Sequence, residues 1–150
     1  MKKNMNKGFS LVELIIVIAI MAVLVGVLAP QFIKYVESSR QSTDIDSVAE
    51  FKAAIEAYVA DEMANGCAIG DLTINWGAST TITVTGTECT NHPINGNTGA
   101  LADLGILEAK TKSDGWNGGT ATYDVGAYTW STAGDGNTKK PNKNMDAAFN

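Results

Sequence analysis

Residues 9–29 form an apolar run with one ionisable side chain, Glu13, and no other feature constrains the fold as strongly. Residues 14–29 carry no charge at all. About 20 such residues in a helix suffice to cross a bilayer. A helix apolar on every side has no face to give to water, so it must lie in lipid or among other helices. A carboxylate at the centre of such a segment costs on the order of 3 kcal/mol. A chain that needed only an anchor would place an apolar residue there. Glu13 is therefore read as a functional charge that requires a partner. Lys2, Lys3 and Lys7 precede the run, and the positive-inside bias keeps that end cytoplasmic and the remainder outside.

A secretory signal peptide accounts for Val27-Leu28-Ala29 as a weak cleavage site, but not for Pro30 directly after it or for Glu13 in the apolar core. A plain single-pass anchor explains the length, but neither Glu13 nor the abrupt border between Gly8 and Phe9. Lys7-Gly8-Phe9-Ser10-Leu11-Val12-Glu13-Leu14 resembles the prepilin cleavage motif of type IV pilins and their pseudopilin relatives. The context is similar too: a short basic leader, a long apolar helix, and Pro30 at the family's helix-kinking place. The resemblance implies cleavage between Gly8 and Phe9 by a prepilin peptidase and N-methylation of Phe9. Glu13 would then be the fifth residue of the mature chain and pair with the N-terminal amine of a neighbouring subunit. A buried carboxylate is tolerable when a cation pairs with it. The sequence departs from the family at Ala22, where many pilins carry glycine, with Gly26 nearby.

Pro30 lacks an N–H and disfavours helical geometry in Ala29, so a kink is expected there. The helical pattern then resumes to about residue 64. Val48, Phe51, Ile55, Tyr58 and Met63 form one apolar face, while Glu37, Arg40, Asp44, Asp46, Glu50, Lys52, Glu56 and Asp61 occupy the other. Asn65-Gly66 is a stop signal. A helix over residues 9–64 would be about 84 Å long. Its second half needs a sheet packed on one side.

Beyond Cys67 the composition turns to Gly, Thr, Asn and Ser. Residues 80–85 alternate with period two and predict a strand, 72–76 predict a weaker one, and 120–125 with 127–132 predict a hairpin around Gly126. Residues 100–107 predict a short helix or turn. The expected fold is α+β: a long N-terminal helix, apolar then amphipathic, packed on a small antiparallel sheet, as in type IV pilins. The expected division is a leader at 1–8, a membrane and filament-core helix at 9–30, an amphipathic helical half at 31–66 and a β-rich head at 67–150.

Cys67 and Cys89 are the two cysteines. In an exported head they suggest a disulfide, closing a loop of about 23 residues and contributing roughly 3 kcal/mol through loop-closure entropy; two free thiols are the alternative. The formal charge is -5. Without the three leader lysines, eight basic side chains face sixteen acidic ones. That balance argues against nucleic acid as a primary partner. Lys139, Lys140 and Lys143 form a small basic cluster that is solvated or meets acidic patches on a neighbouring subunit or DNA.

The tail, with Ser113-Asp114-Gly115-Trp116 and a run from Tyr128 to Gly136, loosely resembles the major pseudopilins of type II secretion, whose late loop binds calcium. Asp124, Asp135 and Asn137 are oxygen ligands of the right type for calcium. A plain turn at residues 134–137 is the preferred reading, so no cofactor is assigned. His92 stands alone in a polar stretch, and no catalytic triad, zinc spacing or phosphate loop is present in the sequence. The expected role is non-enzymatic: a homo-oligomeric filament subunit held in the plasma membrane before assembly, then exposed on the cell surface. It would depend on a prepilin peptidase and a pilus assembly machinery, with adhesion, twitching motility or DNA uptake as family-level outcomes. The alternatives are a major pseudopilin and a monomeric membrane-anchored binding domain.

Overall fold

The computed structural model describes residues 8–90, 92–94, 99–103, 109–134, 136–141 and 143–149. Most of the expected leader, the second half of the helix expected at 100–107, and Asp135 lie outside the described residues. The chain divides into two units, Met1–Tyr35 and Val36–Asn150.

Helix α1, Leu11–Ala64, runs unbroken through Pro30. In the first unit, residues 8–35 are exposed throughout. Between Leu14 and Ala29 no residue is charged, so that part of the helix has no polar face.

In the second unit α1 becomes one-sided. Glu37, Gln41, Asp44, Val48, Phe51, Ile55, Tyr58 and Glu62 are buried. Their spacing alternates four and three residues, which keeps them on a single stripe. This corrects the sequence reading at three positions. Glu37 and Asp44, placed on the solvated face, are buried, and Asp44 is fully so. Met63, placed on the apolar face, is 41 % exposed. Five residues beyond Tyr58 the helix has turned about 140° past a full turn, so the stripe passes through Val59 and Glu62 instead.

The helix stops where a Schellman motif forms. Gly66 takes a positive φ of 82°, Cys67 N–H donates to Glu62 O at 2.9 Å, and Gly66 N–H donates to Met63 O at 3.0 Å. These bonds satisfy carbonyls that the helix end would otherwise leave without partners.

Four strands form one antiparallel sheet in the order β2-β1-β3-β4: β1 Leu72–Trp76, β2 Thr83–Gly86, β3 Gly119–Asp124 and β4 Thr129–Ala133. The weakest of the sequence candidates, 72–76, is a central strand. Its Leu72, Ile74 and Trp76 point into the core, with Val84 of β2 and Ala121 and Tyr123 of β3 beside them. They meet Val48, Phe51, Ile55 and Tyr58 of α1 in one cluster. On the outer face the Thr73 and Thr122 hydroxyls meet at 2.9 Å. The expected strand at 80–85 splits its pairing. Its first part bridges Thr81 to Lys110, and only 83–86 joins the sheet.

The hairpin tip also differs from expectation. Residues 125–128 are a turn, closed by Ala127 N–H to Asp124 Oδ1 at 2.8 Å and by Tyr128 at a φ of 55°. β4 therefore starts at Thr129. A short α2, Ala100–Asp103, and a 3-10 turn, Met145–Ala148, complete the unit. The latter sets Phe149 against Trp76 and Trp130, with ring centroids 6.4 and 5.0 Å away.

Two irregular stretches, 111–116 and the described residues 137–141 and 143, are fastened to α1 by its buried polar stripe. Asp44 Oδ1 accepts Lys112 N–H at 2.6 Å, and its Oδ2 accepts Ser113 N–H and Trp116 Nε1–H, both at 2.8 Å. Glu37 Oε1 accepts the Ser113 hydroxyl at 2.5 Å and Gln41 Nε2–H at 3.1 Å. Gln41 donates to Lys139 O at 2.9 Å and accepts Lys143 N–H at 3.1 Å. Asp44→Ala would leave three inward-facing donors without an acceptor, at a cost of about 3 kcal/mol or more. The expected outcome is a large fall in melting temperature for the alanine variant and a smaller fall for Asp44→Asn, which keeps one acceptor oxygen. Thermal unfolding followed by Trp fluorescence in detergent checks this; equal losses in the two variants would contradict it.

Candidate functional site

Gly8, Phe9 and Ser10 lie outside the helix, and Phe9 is 93 % exposed. α1 starts at Leu11 because Ser10 and Glu13 form a capping box. Glu13 Oε2 accepts Ser10 N–H at 2.8 Å, and Ser10 Oγ accepts Val12 N–H at 3.4 Å. The carboxylate thus sits in the first turn, where the helix dipole favours negative charge. Reading Glu13 only as a charge requiring a distant partner missed this local role. The signal was available: Ser10-x-x-Glu13 is the capping-box spacing. The bonded pair leaves Gly8–Phe9 as non-helical, accessible chain at the border of the apolar run.

The other end of the buried stripe holds a second polar group. Cys67, one residue past the helix-stopping Gly66, is joined to Cys89 by a disulfide with Cα atoms 5.9 Å apart. Cys89 N–H donates to the Tyr58 hydroxyl, which donates to His92 O, both at 2.8 Å. His92 Nδ1 lies 2.6 Å from Glu62 Oε1, and its Nε2 lies 3.5 Å from Asp103 Oδ2. His92 is therefore a staple between α1 and α2 rather than a solitary loop residue. The hydrogen bond to Glu62 is the largest influence raising its pKa above 6.5; burial opposes it, and Asp103 adds to it. Burial is the main cause holding the Tyr58 hydroxyl above its ordinary value. A Glu62 oxygen and both cysteine sulfurs lie within 4.8 Å of one another. With the sulfurs bonded to each other, that group offers a carboxylate and no thiolate.

Among the described residues, the calcium candidates Asp124 and Asn137 lie at different places in the sheet unit. Asn137 bridges to Trp116, and its amide is engaged by Ser113 Oγ at 2.9 Å and Lys139 N–H at 2.8 Å. Asp124 lies at the far end of β3, roughly 16 Å from Gly119 along the strand, and Gly119 is the end packed on Gly134. Asp135, the third candidate, is outside the described residues.

The family model described as the prokaryotic N-terminal methylation motif matches residues 3–29. That span covers the Gly8–Phe9 border and Glu13. The type IV major fimbrial protein FimA of Dichelobacter nodosus is 31% identical over 127 residues, covering 83% of this chain and 75% of the relative. The chain belongs to the type IV pilin family. Fimbrial protein EcpC of Eikenella corrodens is 28% identical over 147 residues, covering 93% of this chain and 90% of the relative. Prepilin peptidase-dependent protein A of Clostridium perfringens is 34% identical over 61 residues, covering 41% of this chain and 44% of the relative. No solved structure gives a significant match. These relatives favour a pilin over the pseudopilin alternative. The α+β pilin architecture accords with them: a long N-terminal helix whose second half packs on a four-stranded antiparallel sheet.

The His92 staple has a defined pH signature in this pilin head. Its folded pKa is raised, so the stabilisation is fully present below about pH 6.5 and is lost as pH rises through the elevated value. Melting temperatures of the parent and His92→Gln should differ most near pH 5.5 and converge by pH 9. A difference independent of pH would contradict the staple.

Proposed function

We propose that this protein is the structural subunit of a type IV pilus filament, made as a membrane-held precursor and released into a fibre on the cell surface. The observation that carries the reading is membership of the pilin family together with an N-terminal helical segment that is exposed on all sides. An 18-residue window in α1 has a mean hydropathy of 3.1 and none of it is buried. An apolar surface of that extent is not stable in water. Lipid would cover it before assembly, and the same segment of other copies would cover it afterwards. The lysines ahead of Phe9 would hold the leader in the cytoplasm, where a prepilin peptidase would cut the Gly8–Phe9 bond and methylate the new amine. The role is structural rather than catalytic.

In the filament core Glu13 would face the amine of Phe9 on a neighbouring copy. Its capping bond to Ser10 is worth about 1 kcal/mol. Isolating a carboxylate among apolar helices costs several kcal/mol. Capping alone therefore does not account for a carboxylate here, and a cation does.

Two measurements test the reading. Mass spectrometry of purified filaments should find the mature chain starting at N-methylated Phe9; a start at Met1 or Pro30 would reject it. Filament yield should then fall at least tenfold in both Glu13→Ala and Glu13→Gln, while the head unfolds at the parent's temperature. Gln retains an oxygen for Ser10 N–H but has no charge. Normal yield in Glu13→Gln would reduce the residue to a helix cap.

A further inference from the structure

Two stretches of the head differ in charge. Residues 53–109 contain seven carboxylates and no lysine or arginine. Three of the eight basic residues after Phe9 fall within 139–143. The structure places the lysine cluster and the Asp61 region apart along α1. Residue 140 lies beside Gln41, because Gln41 bonds the backbone of both Lys139 and Lys143. Of the carboxylates, Glu62 and Asp103 lie beside Asp61. Twenty residues of helix separate the two, about 30 Å.

At the acidic end is a cleft of about 200 Å³ between α1 and α2. Ala54, Ala57 and Ala100 line it with small apolar surface, and Asp61 and Asp103 stand on it as exposed carboxylates. Glu62 is engaged by His92, whereas the Asp61 side chain has no hydrogen bond or ion pair among the described residues. At the basic end Lys139 pairs with Asp114 and Lys143 bonds the Ser42 hydroxyl. Lys140 is exposed, and among the described residues its ammonium has no partner. A small-residue floor with an acidic rim fits a lysine: the aliphatic stem lies on apolar surface and the ammonium reaches the carboxylates. One chain cannot make this contact with itself across about 30 Å.

We infer that Lys140 of one subunit docks into the Asp61–Asp103 cleft of a second copy displaced along the helix direction. This rests on the filament reading. It is a heterologous contact, basic end to acidic end, so it leaves a free end on each copy and propagates as an open array rather than closing as a dimer.

Intact filaments treated with a carbodiimide, which condenses an amine and a paired carboxylate to an amide with loss of water, should yield a Lys140 amide to Asp61 or Asp103. The separation within one chain makes any such amide intermolecular. Lys140→Gln should abolish it. Lys140→Asp and Asp61→Lys should each lower the filament mass surviving shear, by about two- to fivefold for an exposed pair, and the double swap should restore it. Filaments with no such amide would overturn the contact, as would shear resistance indifferent to both reversals or a double swap that fails to rescue. Absence of filaments from the parent protein would instead overturn the filament reading itself.

Discussion

The Asp44 carboxylate is the interaction on which the head depends most. It is fully buried, one turn before the apolar stretch of the stripe begins at Val48. It is tolerated because three donors converge on it: two backbone amides of one loop and the Trp116 indole. Bonds to an ionised acceptor are worth roughly 1.5–3 kcal/mol each, more than a neutral pair. The consequence reaches beyond one residue. Residues 111–116, 137–141 and 143 form little regular structure, so their backbone groups need partners from elsewhere. Glu37, Gln41 and Asp44 supply them, and Ser113 Oγ links the two segments through Asn137. One stripe of a helix thus positions two loops that the sheet cannot reach.

The same stripe ends in a second polar group, with a different construction. Between the two, Val48 to Tyr58 bury against the sheet, each fully buried side chain contributing about 1.5–3 kcal/mol. At the Glu62 end the fastening combines a covalent bond with hydrogen bonds. The disulfide ties the residue after the helix stop to Cys89, Tyr58 bonds on both sides of that loop, and His92 holds Glu62. The apolar middle sets the distance between helix and sheet, and the polar ends set the register of the loops. Apolar contact alone would allow the loops to slide.

Much of this was legible in the sequence. The apolar run, the helix stop at Asn65-Gly66, the alternation of Ile82 and Val84, and the hairpin near Gly126 are local patterns, and local patterns survive folding. The pattern Leu72-Thr73-Ile74-Asn75-Trp76 looked weak only because it is short. At Glu37 and Asp44 charge is a poor guide to exposure. Their spacing to Val48, eleven residues for Glu37 and four for Asp44, places them on the buried face, and helical geometry outweighs residue type. What composition could not reveal was the supply of donors, since Lys112, Ser113 and Trp116 lie some 70 residues away in sequence. His92 was undervalued for the same reason: its partners Glu62 and Asp103 are distant in the chain and near in space.

Glu13 presents the opposite problem to Asp44. Asp44 gathers three donors from its own chain and needs nothing further. Glu13 finds one, the Ser10 amide on Oε2. In water that suffices, because solvent completes the shell. Surrounded by apolar helices it does not, since the second oxygen and the net charge remain uncompensated. Nothing else in residues 9–29 is a cation. A free amine at Phe9 would be the nearest positive charge by sequence, yet its own chain directs Glu13 back along the helix to cap Ser10. The geometry that starts the helix therefore gives the charge no cation within residues 9–29, and in the proposed filament a second copy would supply one.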